Sequence, residues 1–305
     1  MEGVFHEVRT ATAVRGARRS VTFVVAWEGS ERTVPLKPLR RRAVLLVLLM
    51  AVGVVLAGGV AGAIINGKPD ANRHPYVGAL VTDLDGKNLP ICTGTLISPR
   101  VFLTAGHCTD YIKDEGLPTY VSFDPTFDQS STLVRGRSYV FPRYREVPGN
   151  GLPEFDAYDV GVVVLKRPVS TAKGYGRLPK AGLVERLETG KVLTAVGYGA
   201  SGFDVGGGQP HPVYRDVRYR ANVRLINTEN RVADMFVKLS GASAGRGGEG
   251  TCFGDSGGPI FLPNQRTVVA NNSFVTNSRC AGVTYAQRMD LPPVLHWVRS
   301  FPRTS

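Results

Sequence analysis

Ser256 lies within Gly250-Thr251-Cys252-Phe253-Gly254-Asp255-Ser256-Gly257-Gly258-Pro259. A serine hydroxyl is a weak nucleophile until an adjacent base takes its proton. Flanking glycines permit a tight exposed turn and let a substrate carbonyl approach the backbone. The N–H groups of Gly254 and Ser256 can then converge on a developing oxyanion. A base is on offer in Thr104-Ala105-Gly106-His107-Cys108, where a histidine follows a strand-like stretch. An acid to orient it is on offer in Phe155-Asp156-Ala157-Tyr158-Asp159-Val160-Gly161-Val162-Val163-Val164-Leu165. The apolar run after Asp159 implies dry surroundings, where a carboxylate must find a partner, and an imidazole N–H is a suitable one. Asp156 reads as a turn cap. His107, Asp159 and Ser256 thus supply base, orienting acid and nucleophile, the set needed for acyl transfer through a covalent intermediate.

These groups need a scaffold. The 305 residues include 36 Gly and 20 Pro, a composition that favours many turns and short strands over long helices. Apolar residues bounded by turn formers predict strands near 77–82, 92–98, 101–104, 120–123, 138–141, 160–165, 192–196, 214–225, 235–239, 259–262 and 267–275. Asp85-Gly86 marks a hairpin turn. Short strands at this spacing argue for a sandwich or barrel. Residues 293–300 give the one helical pattern, with Val294, Trp297 and Val298 on one face. Gly206-Gly207-Gly208 and residues 241–250 read as loops.

The N-terminal region has a different character. Residues 1–36 form a leader without a readable pattern. Lys37-Pro38-Leu39-Arg40-Arg41-Arg42, an apolar run over 43–60 and Ala61-Gly62-Ala63 make up a secretory signal over 37–63, with export as the expected fate. The run is also about long enough to span a bilayer, so an uncleaved anchor over 43–60 stays open as the alternative. Cleavage after Ala63 would leave Ile64-Ile65-Asn66-Gly67 at the front of a 64–305 domain.

The net charge is +12. Basic residues form no stripe interleaved with aromatics, which argues against nucleic-acid binding. Four cysteines in an exported chain imply two disulfides, and three pairings are open. Asp110, Asp114, Glu115, Asp124 and Asp128 show no usable ligand spacing, so no metal and no cofactor are expected.

Taken together, the segments around Ile64, Cys92-Thr93-Gly94-Thr95-Leu96-Ile97-Ser98, His107, Asp159 and Ser256 resemble the trypsin/chymotrypsin family of serine endopeptidases over residues 64–305. The resemblance implies an all-β fold of two six-stranded antiparallel barrels with the site between them and a short C-terminal helix. It implies Cys92–Cys108 and Cys252–Cys280 disulfides. It also implies a Ser273 hydroxyl on Asp159, and a freed Ile64 amine that pairs with Asp255. Gly250 is expected at the pocket base, beside Thr251. Ser273, Phe274 and Val275 are expected along the substrate-binding strand, with Val283 at the opposite wall. An uncharged pocket narrowed by valine suits small or medium aliphatic side chains. Glu249 would instead favour Arg or Lys. Expected partners are polypeptide substrates and proteinaceous inhibitors, with membrane contact only through the signal segment. The rival reading is a protease-like binding protein that has lost catalysis.

Overall fold

The computed structural model describes residues 64–147, 155–204, 211–227, 234–242 and 248–302. The leader over 1–36, the signal segment over 37–63 and Gly206–Gly208 lie outside them. The strands are β1 Lys68–Pro69, β2 Val77–Leu84, β3 Lys87–Ser98, β4 Val101–Thr104, β5 Tyr120–Ser122, β6 Val134–Val140, β7 Arg145–Val147, β8 Phe155–Ala157, β9 Gly161–Leu165, β10 Val192–Gly197, β11 Gly202–Asp204, β12 His211–Val213, β13 Tyr219–Asn227, β14 Phe236–Ser240, β15 Pro259–Phe261, β16 Val268–Val275 and β17 Val283–Arg288. Among the described residues two α-helices accompany them, α1 over Gly106–Asp114 and α2 over Pro292–Ser300.

Strands β2-β3-β4-β9-β6-β5 close into an antiparallel barrel. Strands β13-β10-β15-β16-β17-β14 form a second six-membered ring, closed by β13 against β14, and β1 adds to the outside of β13. Closure leaves few unpaired edges and turns every second side chain inward. Leu80, Leu96, Phe102, Leu103, Val121 and Val162 fill the first core, and Leu193, Val223, Leu225, Val237, Leu239 and Ile260 fill the second. The expected hairpin turn is present, with positive φ at both Asp85 and Gly86.

Helix α2 begins with prolines in its first turn, where a missing N–H costs nothing. It buries Val294, Leu295 and Val298, and Val294 and Val298 belong to the core of the first barrel. The C-terminal segment therefore follows the second barrel in sequence but braces the first.

The sequence pattern gave one helix, and α1 corrects that. Its N-cap, Ala105, has no capping side chain. The cap comes instead from Asp159, distant in sequence, whose Oδ1 accepts the His107 N–H.

Candidate active site

His107 stands in the first turn of α1, just after β4. Asp159 lies immediately before β9, which pairs with β4 in register Thr104 to Gly161. That pairing brings the two residues together. Asp159 is fully buried. Its Oδ1 accepts the backbone N–H of His107 at 2.9 Å, which caps the helix, and its Oδ2 accepts from His107 Nδ1 at 2.9 Å. One carboxylate thus fixes both the backbone and the ring of the histidine, and a negative charge at a helix N-terminus is favourable in its own right. Ser273 Oγ donates to the same Oδ2 at 2.5 Å, and Gln287 Oε1 accepts the Asp159 N–H at 3.0 Å. Both partners come from the second barrel, so the carboxylate also joins the two halves.

Burial alone would push the Asp159 carboxyl up, but His107, Ser273 and the backbone N–H outweigh it and hold the group below the usual range. Burial pulls the His107 imidazole down. The charge and hydrogen bond of Asp159, then the charge of Asp156, raise it overall.

The Ser256 turn is tied to the first barrel by Thr93. Its N–H donates to Ser256 O at 2.9 Å, and its Oγ1 donates to Gly254 O at 2.9 Å. Gly257, at φ +75°, sits against Thr104 and Ala105, and any Cβ there would collide with both. This contact sets Ser256 beside the residues that lead into His107. Ser256 Oγ makes no hydrogen bond among the described residues. Such base–nucleophile bonds are commonly loose in a free site and tighten with substrate. Gly254 has φ +90°, a conformation that favours glycine. Neither its N–H nor that of Ser256 is taken by an acceptor among the described residues, so both remain available as donors.

Asp255 is fully buried. Its oxygens accept the N–H groups of Gly199 and Cys252, each at 2.8 Å. Burial outweighs these bonds and pushes its carboxyl up to about 7. Ile64 is buried in the core of the second barrel, and the next residue, Ile65, bridges to Gly250, whose N–H donates to Ile65 O at 3.1 Å. Disulfides join Cys92 to Cys108, beside His107, and Cys252 to Cys280, at the loop before Ser256.

A cavity of about 170 Å³ opens next to Ser256. Thr251, Ser273, Phe274 and Val275 line it, and Gly250 does not. Thr284, rather than Val283, faces it, because the β16–β17 register sets Thr284 opposite Val275. The Thr251 and Thr284 hydroxyls bond each other at 3.1 Å. Among the described residues no charged group lines the cavity. The Glu249 carboxylate is engaged elsewhere, accepting the N–H of Asn222 at 2.5 Å.

Asp156 is the residue whose place differs most from the sequence reading. Its Oδ2 lies 3.8 Å from His107 Nδ1. Burial first, then the neighbouring charge of Asp159, push its carboxyl up to about 6, although His107 and Tyr144 pull the other way. No local signal announces this, since Tyr144 and Asp156 meet only through the β7–β8 hairpin. The Asp156→Asn variant removes a charge that favours the imidazolium. The acid limb of kcat/KM is therefore expected to move to lower pH. A pH–rate profile checks this, and an unmoved limb would show that Asp156 does not act on His107. As to metals, His107, Asp156 and Asp159 group ligand-type atoms, but the Nδ1 that would bind an ion is already bonded to Asp159.

A family model described as Trypsin matches residues 64–298. The chain is 31% identical over 203 residues to snake venom serine protease serpentokallikrein-1 of Protobothrops mucrosquamatus, covering 64% of this chain and 70% of the relative. It is 28% identical over 223 residues to a chymotrypsin of Phaedon cochleariae, covering 70% and 75%. The solved structure of HL collagenase superposes with a TM-score of 0.56 at 19% identity, over 78% of this chain and 97% of that one, a likeness of fold. The chain belongs to the trypsin family and is a serine endopeptidase.

Proposed function

We propose that the chain hydrolyses peptide bonds through Ser256, His107 and Asp159, with an acyl-enzyme intermediate and a neutral, narrow specificity pocket. The observation that carries this is the Asp159 carboxylate, which holds His107 by two hydrogen bonds beside the tethered Ser256 turn. His107 takes the Ser256 proton as Oγ attacks the carbonyl carbon. Asp159 keeps the proton on Nδ1, so that Nε2 is free to act, and stabilises the imidazolium. The Gly254 and Ser256 N–H groups hold the oxyanion. The imidazolium then protonates the leaving amine, and water, deprotonated by His107, releases the acid product.

The uncharged cavity lined by Val275, Thr251 and Thr284 supports a preference for small or medium aliphatic side chains before the cut. Discrimination by methylenes is worth about 1–3 kcal/mol, so the preference is broad. Digestion of a mixed peptide library, with cut sites mapped by mass spectrometry, is expected to give cuts after Ala, Val, Thr or Leu. Cuts confined to Arg or Lys would overturn the pocket reading, and an absence of cuts would favour the binding-protein rival.

We further propose that a single signal cleavage after Ala63 both secretes and activates the protein. Among the described residues no helix is long and apolar enough to cross a membrane, and 43–60 lies outside them. Two observations support activation by cleavage. Ile64 is buried in the core of the second barrel, and the next residue pairs with Gly250, in the segment that leads to Asp255. Asp255 is a buried carboxylate that a new Ile64 amine would pair. N-terminal sequencing of active protein should begin at Ile64, and any other start refutes the one-cut scheme.

Stability should report the pairing as well. In the uncut chain the folded-state value of about 7 exceeds the ordinary aspartate value near 3.9. The folded state then holds more protons, so stability falls as pH rises from about 4 to about 7. Pairing with an amine lowers the Asp255 value and removes that loss. Thermal melts of a non-cleavable Ala63 variant and of mature protein are expected to diverge over this range. Parallel curves would show that Ile64 and Asp255 do not pair.

A further inference from the structure

Away from the peptidase site, a cavity of about 310 Å³ opens where the segment entering β2, the connection between the barrels and the β15–β16 turn meet. Arg73, Lys173, Arg220 and Arg266 line it together with His74 and Thr194, and among the described residues no carboxylate does. None of these four cations forms an ion pair among the described residues. Asp70, the nearest acid in sequence, is spent on Arg218 and His74. Local hydrogen bonds hold the basic groups in place. Lys173 Nζ donates to Arg73 O at 3.2 Å, and Arg266 Nη1 donates to Lys173 O. Four like charges around one hollow repel each other. A tetrahedral oxyanion answers that repulsion, because its several acceptor oxygens match guanidinium donors and its charge offsets theirs.

We infer that this cavity is a binding site for a phosphate or sulfate group, either as a free ion or as an ester on a larger molecule. Its lining comes from the first barrel (Arg73, His74), the connection (Lys173) and the second barrel (Thr194, Arg220, Arg266). A bound anion therefore clamps the two halves and stabilises the fold by mass action.

The test is a set of thermal melts of the purified protein in sodium phosphate and in sodium chloride at matched ionic strength, with Lys173→Gln and Arg266→Gln alongside. A third arm uses a fully sulfated disaccharide. Wild-type Tm is expected to rise by about 5 °C at roughly a hundredfold excess over Kd. Both variants should lose most of that rise, while general salt effects persist in all three proteins. A rise with phosphate identifies a free ion as sufficient. A rise with the disaccharide alone identifies the ester on a chain. Equal rises in wild type and both variants, or no rise with either probe, overturns the proposal.

Discussion

Ser256→Ala is expected to lower kcat by about 10⁶-fold, the scale seen when a serine protease loses its nucleophile. At about 1.36 kcal/mol per tenfold, this is roughly 8 kcal/mol of transition-state stabilisation. The fold should hardly notice. Ser256 Oγ makes no hydrogen bond among the described residues, and what anchors the turn does not involve that hydroxyl: the Thr93 N–H to Ser256 O, Thr93 Oγ1 to Gly254 O and the Gly257 N–H to Asn272 O. A stability change within about 0.5 kcal/mol is the ordinary outcome for such a site. Single-turnover kinetics and a thermal melt on one preparation check both halves. An active variant removes Ser256 from the mechanism, and an unfolded one removes the account of the turn.

The second large effect is expected from Asp159→Asn, a loss of about 10⁴-fold in kcat near neutral pH. Shape is nearly conserved, so the argument rests on protons. Oδ2 accepts from both His107 Nδ1 and Ser273 Oγ, while Oδ1 accepts the His107 N–H. An amide offers one oxygen and one NH₂, so it cannot accept at both positions. Keeping the helix cap on its oxygen turns the NH₂ toward Nδ1. The ring proton is then driven to Nε2, which leaves His107 unable to deprotonate Ser256. KM should change little, because Asp159 is fully buried and touches no substrate. A matched rise in KM, or a loss under tenfold, would argue that Asp159 serves structure alone.

The candidate catalytic residues stood out in the sequence as local strings, whereas several scaffold elements around them did not. His107, Asp159 and Ser256 each lie in a short string whose glycines or apolar neighbours have local physical causes, and Gly257 shows one, since the space for its Cβ is filled by Thr104 and Ala105. Helix α1 was not legible, because its cap is a carboxylate 52 residues away. Strand β17 was missed as well. It carries buried Gln287 and Arg288 where a pattern reading expects apolar residues, and Arg288 is satisfied by Glu185, Asp290 and the Asp234 carbonyl. Thr284 replaced Val283 at the pocket for a related reason. A bulge between Asn272 and Phe274 sets the register, and register decides which face a residue takes. Asp156 beside His107, Gln287 behind Asp159 and Thr93 beneath Ser256 are contacts between distant segments, which composition and spacing do not encode.

The most direct test of the proposed catalytic centre is covalent labelling. Diisopropyl fluorophosphate is added to active protein, and the adduct is mapped by peptide mass spectrometry while residual activity is followed. A single adduct is expected on Ser256, formed in step with loss of peptidase activity and not formed in a His107→Ala variant. Complete inactivation with Ser256 unmodified, or full activity with Ser256 labelled, would contradict it.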